Sequence, residues 1–95
     1  MANEFELGQL VATPAAFRLL SESSVDSLGL IRRHLALDAG VLSSSDQEAN
    51  RRAVGDGGRI LSAFDVGGQR VWIITEAVGD DGRRQSMCIL LPDEY

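Results

Sequence analysis

The sequence predicts an α+β fold in which about three N-terminal helices pack on a three-stranded antiparallel β-meander. Within 58–91 the apolar runs ILSAF, VWII and CILL are cut apart by glycine-bearing turns, as in strands joined by hairpins. Within 13–55 the chain is polar and serine-rich, with helix start and stop residues in place of period-two alternation. Composition shifts near Gly55 without a linker, a repeat or a low-complexity run. With 95 residues and 44% apolar content there is material for one core, so 1–95 is expected to be a single domain.

Thr13-Pro14 is a helix start: the threonine can cap free N–H groups, and proline loses nothing at the first helical position. A helix through about Ser21 should follow, with Ala16, Phe17 and Leu20 on its docking face. A second helix is expected from about Val25 to Asp38, capped by Ser24 and stopped at Gly40, with Leu28, Ile31 and Leu35 inward. Gly29 weakens it by roughly 1 kcal/mol. Ser45 and Glu48 have capping-box spacing and should begin a third helix ending at Gly55. Its inward candidates, Ala49, Ala53 and Val54, are small, so it should be a lid on the rim of the core.

In the strand half, Ile60, Ser62, Phe64 and Val66 fall on one face and Leu61 and Ala63 on the other, while VWII and CILL are apolar on both. Gly67-Gly68 suits a tight hairpin and GDDG at 79–82 a longer one; GDGG at 55–58 lacks the lysine of a phosphate loop and reads as a turn. The strand carrying Trp72 should be the middle one. Three helices can cover one face, which leaves the other for the N-terminal segment or for a second copy of the chain, so a homodimer is an expectation.

The 9 basic side chains face 14 carboxylates, for a net charge of −5, which argues against nucleic-acid binding. Three arginine doublets, Arg32-Arg33, Arg51-Arg52 and Arg83-Arg84, would have to converge to offset it; otherwise each is a surface pair. No run approaches the roughly 18 apolar residues of a membrane span, and MANEFELGQL is acidic where a secretory signal would be basic, so a cytoplasmic chain is expected. Cys88, the single cysteine, reads as a small apolar side chain within MCILL. No metal-ligand cluster and no cofactor motif is present in the sequence, so neither metal nor cofactor is expected.

Phe5 followed by LGQLVATPAA, then His34, Asn50, GGRILSAF, VWIITEA and ILLPDEY resemble a family of small proteins carried on bacterial plasmids and integrative elements, usually uncharacterised or labelled restriction-related. The resemblance implies a mobile-element accessory protein and carries no established activity. It departs from the family pattern at Leu37-Asp38-Ala39-Gly40, where a tryptophan is usual, and at Met87 and Cys88, where threonines are.

Two readings of function follow. The favoured one is non-enzymatic: the chain occupies the surface of a protein partner, such as a host defence or nucleic-acid-processing protein, through Trp72, Phe64, Arg84 and Tyr95. The alternative is a metal-independent ribonuclease of the barnase and bacterial-toxin kind, or a degenerate relative of one. There His34 would be the acid, Glu76 the base, and Arg84 with Arg70 the phosphate clamp.

Overall fold

The computed structural model describes residues 4–95. In chain order it has β1 (Gln9–Ala12), α1 (Pro14–Glu22), α2 (Ser27–Leu35), α3 (Ser44–Asp56), β2 (Ile60–Val66), β3 (Gln69–Thr75), β4 (Ser86–Leu90) and a 3-10 turn (Pro92–Glu94). The strands form one sheet in the order β1-β4-β3-β2. The α+β class stands, but the expected three-stranded antiparallel sheet is corrected to a four-stranded mixed one. β2, β3 and β4 are antiparallel neighbours, and β1 lies parallel to β4 with Leu10 beside Met87. Four residues are too few for a period-two signal, and a parallel partner at the far end of the chain leaves no hairpin mark in the sequence.

Local chemistry explains the helices and the shifts in their ends. Thr13 accepts a hydrogen bond from the Ala16 amide at 3.1 Å and Pro14 opens α1, as expected. Its buried side is Ala16, Leu19 and Leu20; Phe17 is corrected to the outside, 63% exposed. α2 starts two residues later than expected because Asp26, not Ser24, accepts from the Leu28 amide. It ends at Leu35, and Leu37 supplies the left-handed residue expected of Gly40. The buried stripe is Leu30, Ile31, His34 and Leu35, and Leu28, expected inward, is corrected to the outside, 54% exposed. α3 is capped by Ser43, which accepts from the Asp46 amide, and closes at left-handed Gly57, so the expected capping box and the stop at Gly55 are both displaced.

The sheet's inner face, with Phe64, Val66, Val71, Ile73, Met87 and Ile89, packs against α1, α2 and the half-buried Phe5. Gly67 and Gly68 both have positive φ, the conformation that a two-residue hairpin with the sheet's own twist requires. The helices do not all share one face. α3 lies along the β2 edge, and its Ala49 and Asn50 look over Leu61, Trp72 and Ile74 on the outer face. The 3-10 turn folds back at the end of β4 and brings Tyr95 against Trp72. Ala63, Ile74 and Leu90 are thereby buried on the outer side too, as strands apolar on both faces demand.

The outer edge of β2 is closed by the chain itself. The Val41 amide donates to the Ala63 carbonyl at 2.8 Å, and the Ala63 amide donates to Ala39 at 3.0 Å. This needs Gly40 between them: its φ is +78°, and a Cβ there would collide with the Ala63 carbonyl oxygen. Two residues earlier on β2, Asn50 completes the closure. Its side-chain amide donates to the Leu61 carbonyl at 2.6 Å, and its Oδ1 accepts from the Leu61 amide at 3.1 Å. One asparagine thus replaces a residue of a fifth strand.

Candidate functional site

His34 is fully buried between α2 and the inner face of the sheet. Its Nδ1 lies 2.5 Å from the Ser62 hydroxyl and its Nε2 2.8 Å from the Thr75 hydroxyl, so both ring nitrogens are occupied. The Phe5 ring stands edge-on to it, with centroids 5.3 Å apart. Burial pushes its pKa down to about 4, and at neutral pH the ring is uncharged. A neutral imidazole bonded on both sides inside the core has its single N–H committed to a hydroxyl and presents no surface to a substrate.

The other residues of the ribonuclease reading lie elsewhere. Glu76 is exposed just past the end of β3. Arg84 is buried and committed to the backbone: Nη1 donates to the carbonyls of Gly58 and Glu76 at 2.6 and 3.0 Å, and Nη2 to that of Ala53 at 2.9 Å. It therefore ties the last turn of α3 to the start of β2 and the end of β3. Arg70 is paired with Asp65 at 2.8 Å. The structure does not bring His34, Glu76 and Arg84 together around a common space. Among the described residues no three His, Cys, Asp or Glu side chains are grouped as metal ligands, and no helix is long and apolar enough to cross a membrane.

The binding residues divide in the same way. Phe64 is buried under the Arg33 guanidinium, which sits 4.7 Å above its ring and is itself paired with Asp38. Neither Phe64 nor Arg84 offers a partner its side chain. Trp72 and Tyr95 do. Trp72 is half-buried and Tyr95 is 62% exposed, their rings meeting at 65° with centroids 5.9 Å apart. They bound a cleft of ≈ 320 Å3 on the outer face. Leu61, Trp72 and Ile74 make its floor, and α3 makes one wall through Asp46, Ala49 and Asn50. Arg59 closes one side with its guanidinium 5.0 Å from the Tyr95 ring centre. No described carboxylate pairs with Arg59, and no described cation pairs with Asp46.

Sequence reasoning missed Arg59, Asp46 and Asn50. Arg59 stands outside the doublets, each of which has a member already engaged: Arg33 with Asp38, Arg51 with Glu48, and Arg84 with backbone carbonyls. Asn50 had a readable signal, since a helix with so few apolar residues places a polar one on its buried side. Cys88 is half-buried on the outer face, and burial, reinforced by Glu94 and Glu76, raises its pKa away from the reactive thiolate. No protein-family model, curated protein or solved structure gives a significant match to this chain.

Proposed function

We propose that this chain is a non-enzymatic binding module that seats a segment of a protein partner in the Trp72–Tyr95 cleft. The observation that carries the reading is an apolar floor with an aromatic pair at one end and, on its rim, two opposite charges, Arg59 and Asp46, that form no ion pair among the described residues. Apolar area supplies affinity when an inserted side chain leaves water, while the rim charges select orientation. A fitting segment carries an aliphatic or aromatic anchor next to a carboxylate that meets Arg59. The biological setting suggested by the resemblance is an accessory role on a mobile element, with a host defence or nucleic-acid-processing protein as the partner occupied.

The test uses the tagged chain to isolate its partner and then compares variants by calorimetry. Trp72→Ala and Tyr95→Ala should each weaken the complex by ~2 kcal/mol, about thirtyfold, and Arg59→Glu should weaken it while leaving the fold intact. A complex indifferent to all three would remove the cleft from the interface. RNA cleavage by the purified chain, lost in Glu76→Gln, would replace the binding reading altogether.

A further inference from the structure

The two edges of the sheet are treated in opposite ways. The β2 edge is sealed by Ala39, Val41 and the Asn50 side chain. Among the described residues the β1 edge is open. Gln9 and Thr13 donate their amides to Gln85 and Ile89 beside β4, so the alternation of a strand turns the N–H and C=O groups of Leu10 and Ala12 outward. An exposed row of this kind is ordinarily blunted with charge. Here no charged residue occurs from 7 to 17, in a chain of which 24% is charged. Leu10 and Val11 are 42% and 41% exposed, and Leu7 and Phe17 add apolar surface within the same run. Leu10 shares the helical face with its neighbour Met87, and Val11 the outer face with Cys88, so the edge is greasy on both sides.

We propose that β1 pairs antiparallel with β1 of a second copy, making a continuous eight-stranded sheet across a twofold axis at Val11. Leu10 of each chain then faces Ala12 of the other, exchanging N–H and C=O groups, and the two Val11 side chains meet as a close non-hydrogen-bonded pair. Pro14, which lacks an N–H, ends the ladder.

Charge selects a second copy as the occupant. At −5 per chain, like surfaces repel, and this uncharged run is where two copies approach at least cost. In the paired register residues 9–13 of one copy face residues 13–9 of the other, and none of them is charged, so the contact sets no like charges against each other. The Trp72–Tyr95 cleft stays free, and the dimer does not depend on what fills it.

Sedimentation equilibrium of the full chain, carried into the high micromolar range, should return twice the mass of one chain. Leu10→Lys should return a single-chain mass with an unchanged far-ultraviolet circular dichroism spectrum. Register is tested separately in a Cys88→Ser background, which removes the thiol beside Val11. Val11→Cys should cross-link two chains under mild oxidation, because the pairing puts the two Cβ atoms at disulfide distance. Gln9→Cys, which faces Thr13 of the other copy, should not. A wild-type chain that stays single throughout the series overturns the proposal. So does a dimer that persists in Leu10→Lys and gives no Val11→Cys cross-link.

Discussion

The His34 ring can donate to one hydroxyl and accept from the other only while it is neutral, and this makes stability depend on pH. In the unfolded chain the imidazole takes up a proton near its ordinary pKa of 6.5; in the fold it does so only near 4. Between those values the unfolded state holds more protons, so stability is full above pH 6.5 and falls as the pH is lowered toward 4. The whole window is worth about 3 kcal/mol. Urea denaturation across it should show that loss, and His34→Gln, whatever its own stability, should flatten the dependence there. Asp38, held low first by its hydrogen bond from Arg33, loses its contribution at lower pH than the histidine window. A histidine among leucines was readable as a packing residue; that both its nitrogens would meet hydroxyls, one from β2 and one from β3, was not.

At the scale of elements, local signals and non-local ones had different fates. The Gly67-Gly68 hairpin, the Thr13-Pro14 helix start and the two-faced apolar strands were legible, because each is specified by residues adjacent in sequence. The starts of α2 and α3 slid by a residue or two because Asp26 and Ser43 competed with equally good caps nearby. β1 and the sealing of β2 were illegible, since each joins segments far apart in the chain. Asn50→Ala should cost about 1–3 kcal/mol, because the Leu61 amide and carbonyl lose their only described partners. Asn50→Asp should be worse, since it keeps the acceptor but sets an oxygen against the Leu61 carbonyl. Urea midpoints check the order, and faster hydrogen exchange at the Leu61 amide checks the site.

Across the whole molecule, Arg84 is the joint between the helical and strand halves. It meets three carbonyls from three segments, and no carboxylate forms an ion pair with it among the described residues. Arg84→Met should fill similar volume yet destabilise by ~3 kcal/mol, the cost of stranding buried acceptors. Arg84→Lys should recover little of it, since one ammonium cannot reach in the directions that a planar fork does. Chemical denaturation measures both. The candidate site was legible only as its aromatics, Trp72 and Tyr95, which carry a signal by residue type. What made them a cleft was the placement of α3 and Arg59, from distant parts of the chain.

By itself the sequence determined the α+β class, the two glycine-hinged strands that follow α3 and the faces on which their side chains lie, because these depend on backbone preference and on periods of two and 3.6 residues. Only the tertiary structure decided that His34 is a neutral core residue, that Arg84 is a strut and that one sheet edge is shut and the other open. Each of those outcomes depends on which backbone polar groups find a partner once the chain has folded.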